Sequence, residues 1–244
     1  MNILCVIPSR IGSTRLARKP LRLIQGKAMI QRVYENALRC KVLTKVIVAT
    51  DSTEIRDLIE AIGGTVMMTD AALATGSDRV AYVANAYPEM EVVINLQGDE
   101  PFIKASMLEQ LLAPFLRGDS LAMSTLAFPI ESQDEFNNPG IVKVITDNNS
   151  DALYFSRAAI PYVRVKTLTT PVYHHLGLYA FRRDFLLYYT TLAPTPLELT
   201  ESLEQLRAME HGYKIRVCLT EHKTIEINTP EELAAAQTFV FNED

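Results

Sequence analysis

Short apolar runs rich in β-branched residues alternate with amphipathic segments through the first half of this chain. Ile3–Ile7, Lys45–Thr50 and Glu91–Leu96 are apolar nearly throughout, without the alternation that a strand with one wet face would show. Strands buried on both faces belong in a parallel sheet whose crossovers are helices. Met29–Cys40, Thr53–Ile62, Ser77–Tyr87 and Ala105–Arg117 carry helical periodicity between them, and Thr65–Met68 reads as a further short strand. Asp51 or Ser52 caps the second of these helices. The pattern predicts an α/β fold with a doubly wound, mostly parallel sheet.

The rhythm changes after about residue 120. Ala122–Phe128, Val142–Ile145, Leu153–Ser156, Leu176–Phe181 and Lys214–Leu219 read as strands, most of them joined by irregular loops, which predicts an inserted antiparallel region. A helix is expected over Leu197–Glu210, with Leu199, Leu203 and Leu206 on one face. A last helix opens at Thr229-Pro230-Glu231-Glu232, where an N-cap, a proline at the first helical position and a capping-box glutamate coincide. No linker, repeat or low-complexity tract is visible, so residues 1–244 read as a single domain.

Composition excludes several classes. A net charge of −5 argues against a general nucleic-acid binder, whose footprint would be broadly basic. Cys5, Cys40 and Cys218 are odd in number and lack CxxC spacing, so they read as buried thiols of a reducing compartment rather than disulfides or a zinc site. The Ile3–Ile7 run is too short for a signal peptide and has no basic residue before it, and no apolar stretch is long enough to span a membrane. The expectation is a cytoplasmic protein without membrane or nucleic-acid partners.

Four segments can carry chemistry. After the first strand, Arg10, Gly12, Ser13, Thr14, Arg15, Arg18 and Lys19 make a locally basic loop on an acidic chain. Guanidinium forks and an ammonium at the carboxyl end of an α/β strand suit a polyphosphate, although most charge runs are solvated turns. GxGxxG and GxxxxGK[ST] are both absent, so neither a dinucleotide fingerprint nor a Walker loop is present. Asn95–Pro101 follows a buried strand, and Asp99 there can hold Mg²⁺ against phosphate oxygens or simply belong to a polar turn capping the next helix. In Thr75–Arg79, Ser77 or Asp78 serves as an N-cap, while Gly76 and Arg79 are harder to explain by capping. His174 and His175 point to opposite faces of a strand, so at most one of them lines a pocket.

Taken together, IPSRIGSTRLARKPL, ATGSDRV, VINLQGDEPFI, NPGIVKVI, ALYFSRAAIPY, HLGLYAFR, LEQLRAMEHG and INTPEEL occur in an order that resembles the 3-deoxy-manno-octulosonate (Kdo) cytidylyltransferases, the CMP-Kdo synthetases of lipopolysaccharide assembly. The resemblance covers essentially the whole chain. It implies a nucleotide-diphospho-sugar-transferase-like fold, with residues 1–120 mainly binding CTP and 121–244 mainly binding the sugar and forming a homodimer. It implies Mg²⁺-dependent joining of CTP and Kdo to give CMP-Kdo and pyrophosphate. By motif, Arg10, Arg15 and Lys19, with Ser13, would hold the triphosphate, and Ser77 and Arg79 would help form the cytidine pocket. Gln97 would face the sugar, and Arg157, His175, Glu204 and Gln205 would line the Kdo site. Asp99 would ligate Mg²⁺; Arg10, Arg15, Lys19 and Asp99 are thus the expected catalytic set.

Departures from the family pattern are local. Ala17-Arg18 stands where the family usually has Pro-Gly, so Arg18 either reshapes the loop or adds a phosphate contact. Asn228 stands where VDTPEDL supplies a second Mg²⁺-ligating aspartate; its amide oxygen can still coordinate but brings no charge. Ser52 and Ser77 replace a usual aspartate and threonine. An active cytidylyltransferase for Kdo or a related 2-keto sugar acid is one reading, and a catalytically weak nucleotide-binding paralogue with a regulatory role is the other.

Overall fold

The computed structural model describes residues 1–12, 16–165 and 170–239. The chain divides into two compact units, Met1–Glu109 with Thr224–Asp244, and Gln110–Lys223. The final helix therefore groups with the amino-terminal unit.

The first unit opens with β1 (Ile3–Ser9), in which every residue is buried, followed by a two-residue hairpin, β2 (Leu23–Ile24) and β3 (Lys27–Ala28). Next come α1 (Met29–Arg39), β4 (Lys45–Thr50), α2 (Thr53–Ala61), β5 (Val66–Met68), α3 (Gly76–Asn85), β6 (Val92–Asn95) and α4 (Ala105–Leu116), which runs across the boundary between units. β1 pairs in parallel with β4 and with β6, and β4 pairs in parallel with β5. The chain thus builds the sheet outward from β1 on one side and then returns to add β6 on the other, a topological switch point between β1 and β6. α1 turns Met29, Ile30, Val33, Tyr34 and Ala37 inward, a helical stripe that covers the sheet. α2 is capped by Ser52, whose hydroxyl accepts from the Ile55 amide.

The second unit contains β7 (Met123–Pro129), α5 (Gln133–Asn137), β8 (Lys143–Thr146), β9 (Ala152–Ser156), β10 (Tyr173–Arg182), α6 (Arg183–Tyr189), α7 (Pro196–Glu201), α8 (Leu206–Glu210) and β11 (Ile215–Leu219). β10 runs antiparallel to β7 and β8, β8 antiparallel to β9, and β11 parallel to β7. The inserted antiparallel region is therefore present. The single helix expected over Leu197–Glu210 is not: Ser202 adopts a left-handed conformation (φ 54°) and divides it into α7 and α8. Leu203 and Leu206 are buried as expected, whereas Leu199 on the other side of the break is 67% exposed.

The chain then returns to the first unit with α9 (Pro230–Ala236), capped by Thr229 and Glu232 as the sequence predicted. Ile227 and Ala236 join Leu16, Ile24, Met29 and Phe102 in one apolar cluster. That packing fixes the Thr224–Asn228 strap beside the loop after β1.

Candidate active site

Because β1 and β6 are parallel neighbours, their carboxyl ends open on the same side of the sheet. β1 delivers Ser9 and Arg10 there, and β6 leads into Gln97, Gly98 and Asp99. Together with Lys19 and Gly76 they line a cleft of about 390 Å³ within the first unit. Gly98 is where backbone must pass closely: a Cβ would lie 3.1 Å from the Pro8 carbonyl oxygen. Ser13 and Arg15 lie outside the described residues.

Three motifs far apart in sequence meet at one ammonium. Lys19 Nζ donates to Asp99 Oδ2 at 2.5 Å and to Asn228 Oδ1 at 2.8 Å. Asn228 Nδ2 in turn donates to Glu226 Oε2 at 3.0 Å. Glu226 is exposed at its surface edge, yet desolvation by the surrounding protein, and then the Asp99 carboxylate, raise its pKa above the ordinary value. Glu100 lies deeper, 2% exposed, and accepts from Thr224 Oγ1 at 2.8 Å. Burial, followed by Glu226 and Asp99, pushes its pKa up to about 8. Asp99 thus lies in a turn that lines the cleft, with the carboxyl groups of Glu226 and Glu100 close by. Neither Glu226 nor Glu100 was singled out in the sequence; for Glu226 the polar–apolar alternation of TIEINTP, which sets it on the same side as Asn228, was the available signal.

Arg10 lines the cleft and donates through Nη2 to the Ala74 carbonyl at 2.8 Å. Gln97 also faces it, with Nε2 donating to Asn95 Oδ1 at 2.9 Å; Asn95 Nδ2 reaches Ser77 Oγ at 3.4 Å. Ser77 and Arg79 stand behind the cleft rather than along it. Arg79 is completely buried, donates to Thr69 Oγ1 and lies 3.5 Å from Asp51 Oδ2, so it braces the ends of β4 and β5. Neither Ser77 nor Asp78 is the N-cap of α3. Thr75 is the cap, and Asp78 completes its capping box as the third helical residue.

Arg157, His175, Glu204 and Gln205 all lie in the second unit. His175 is 6% exposed, contacts Thr125 Oγ1 at 3.0 Å and meets the Phe155 ring edge-on; burial lowers its pKa to about 3, so it is neutral. Its neighbour His174 packs on Phe128 and is likewise held near 4 by burial. The Gln205 amide nitrogen is buried with no hydrogen-bond partner among the described residues, which leaves a donor for a ligand. Tyr189 donates to the Glu204 carbonyl at 2.6 Å, and Arg207 grips Glu198 with two bonds, locking α8 onto α7.

The Cytidylyltransferase family model matches residues 4–215. A 3-deoxy-manno-octulosonate cytidylyltransferase from Acaryochloris marina is 51% identical, and the match covers 98% of both chains. One from Geobacter metallireducens is 44% identical, covering 96% of this chain and 95% of the relative. The chain belongs to the 3-deoxy-manno-octulosonate cytidylyltransferase family. A solved CMP:2-keto-3-deoxy-manno-octonic acid synthetase in complex with CTP superposes with a TM-score of 0.92 at 40% identity, covering 97% of each chain. A 4-diphosphocytidyl-2C-methyl-D-erythritol synthase from Anaerococcus prevotii shares the fold at a TM-score of 0.64 and 17% identity.

Within this cytidylyltransferase, Arg18 corrects one expectation. It takes a left-handed conformation (φ 55°, ψ 35°), the region the family glycine enters without strain, and so keeps a glycine-like turn before the Lys19–Leu21 3₁₀ segment. Its guanidinium pairs with Glu54 at the start of α2. Of the cysteines, Cys5 and Cys40 are buried thiols, while Cys218 is only partly buried. No helix among the described residues is long and apolar enough to cross a membrane.

Proposed function

We propose that this cytidylyltransferase joins CTP to 3-deoxy-manno-octulosonate, giving CMP-Kdo and pyrophosphate. The observation that carries the reading is the convergence of Lys19, Asp99 and Asn228 at the mouth of the β1/β6 cleft. The anomeric hydroxyl of the sugar attacks the α-phosphorus in line, and the oxygen bridging to the β-phosphate leaves with pyrophosphate. Little covalent chemistry falls to the protein, so orientation and charge neutralisation dominate. Arg10, Lys19 and, from the undescribed loop, Arg15 and Ser13 hold the triphosphate. Ser77 and Arg79 support the cytidine pocket from behind through Asn95 and the β4/β5 ends. Gln97 meets the sugar, and Arg157, His175, Glu204 and Gln205 bind it on the second unit, the guanidinium taking its carboxylate.

The donor set fits Mg²⁺. Asp99 and Asn228 already present two hard oxygens to a single cationic head, that of Lys19. Asp99, with Asn228 as a neutral partner, would hold the ion, which would supply positive charge across the phosphate oxygens. A cytoplasmic homodimer suits the same reading, with exposed Tyr162, Val163 and Val165 of the second unit as apolar surface for a partner copy. The role in lipopolysaccharide assembly follows from the sugar.

Pyrophosphate release tests the reading with CTP or UTP, with Kdo or related 2-keto sugar acids, across a Mg²⁺ series. Release that requires both CTP and Kdo is expected. Nucleotide binding without sugar-dependent release at any Mg²⁺ concentration would favour the inactive-paralogue reading instead.

A further inference from the structure

Glu201 closes α7 and makes three hydrogen bonds to one dipeptide more than forty residues earlier. Its carboxylate accepts from Ser156 Oγ at 2.6 Å and from the Arg157 amide at 3.0 Å, while its own carbonyl accepts from Arg157 Nε at 3.0 Å. On the other side of Arg157, the carbonyl oxygen accepts from Lys143 Nζ at 2.6 Å. Lys143 is completely buried and donates also to the Asn138 and Ile141 carbonyls, so all three of its donors are used. Arg157 is therefore held at its amide, its carbonyl and the base of its guanidinium. Immediately after Glu201, left-handed Ser202 turns the chain into the segment bearing Glu204 and Gln205.

We infer that Glu201 is a positioning residue for the sugar acid: it fixes the Arg157 guanidinium at the distance from Gln205 that the substrate requires. The inference rests on the assignment of Arg157 to the sugar carboxylate made above. A half-buried carboxylate that accepts from an amide and a hydroxyl is a stiffer mount than a solvated loop. Its negative charge also acts favourably on the enclosed Lys143 ammonium. Groups of this kind, which touch a binding residue but not the ligand, commonly set affinity by orientation.

The test is a double-mutant cycle on the full chain, reading KM for Kdo, KM for CTP, CTP affinity by calorimetry, and thermal stability. Glu201→Gln keeps the side-chain shape but removes the negative charge and one of the two acceptor oxygens that Ser156 Oγ and the Arg157 amide use. It is expected to raise KM for Kdo roughly 10-fold, with CTP affinity unchanged, and to add nothing in an Arg157→Ala background. Ser156→Ala, which removes the bond to Glu201 and the one that Ser156 Oγ accepts from the Ala158 amide but no charge, should move the same KM in the same direction by less. An unchanged KM for Kdo in Glu201→Gln, with Arg157→Ala still raising it, would overturn the role of Glu201 alone. Equal effects of Glu201→Gln with and without Arg157 would reduce Glu201 to a structural part. No effect of Arg157→Ala on KM for Kdo would remove the Arg157 assignment, and this inference with it.

Discussion

Replacing Glu100 by glutamine isolates one titration beneath the proposed phosphate site. The carboxyl is enclosed, with one oxygen accepting from Thr224 Oγ1 and the other lacking a hydrogen-bond partner among the described residues. Its pKa stands at about 8 in the folded chain against an ordinary value of 4.5, chiefly through burial and then through Glu226 and Asp99. An acid whose folded pKa is raised prefers to stay protonated in the fold. The associated stability is full below pH 4.5, falls as pH rises through the window, and levels off above about 8. At ~1.36 kcal/mol per unit, the loss across that window is on the order of 5 kcal/mol. Glutamine does not titrate, but it places a second N–H donor where no partner waits, at a cost of about 1–3 kcal/mol. The variant should therefore be slightly less stable than the wild type near pH 5 and more stable by roughly 2 kcal/mol near pH 8.5. Urea unfolding of the nucleotide-free protein in EDTA across this range measures the difference. Parallel stability curves for the two proteins would refute the reasoning, because they would mean that Glu100 is ionised in the fold or solvated like the unfolded chain.

Asn228→Asp places a carboxylate beside Lys19 and against Glu226; the Mg²⁺ concentration for half-maximal rate should fall, and an unchanged requirement would put Asn228 outside the metal shell. Arg18→Gly relieves a left-handed side chain and loses only an exposed ion pair worth about 0–1 kcal/mol, so KM for CTP should stay within about 2-fold; a large rise would return Arg18 to the phosphate site. Arg207→Leu strands Glu198 in the α7/α8 interface, where both partners are buried, and should cost about 3–5 kcal/mol in chemical unfolding.

Much of the scaffold was legible because its strands are wet on neither face. Lys45–Thr50 matches β4 at both ends, and the other runs are correct to within a few residues. The split at Ser202 was not legible, since a serine in the left-handed region carries no glycine to announce it. The cleft residues Arg10, Lys19, Gln97 and Asp99 were found from charge and strand-end position, with the resemblance supplying their roles. Burial was harder to read. Arg79 looks like a surface residue of a helix, yet it is sealed behind the pocket, because Asp51 and Thr69 wait at the ends of two strands. Glu201 was invisible for a similar reason: in LELTESLEQ it is one of three glutamates, and only the folded position of Ser156 and Arg157 distinguishes it.

Phosphorus NMR of CTP mixed with Kdo, Mg²⁺ and protein tests the central claim most directly, with the wild type and Asp99→Asn run side by side. The wild type should convert the triphosphate resonances into a phosphodiester signal and pyrophosphate in equal amounts, only when Kdo is present. Asp99→Asn should give no conversion while remaining folded by circular dichroism. Sugar-dependent conversion that survives in Asp99→Asn would contradict a reaction centred on the Asp99–Lys19–Asn228 convergence.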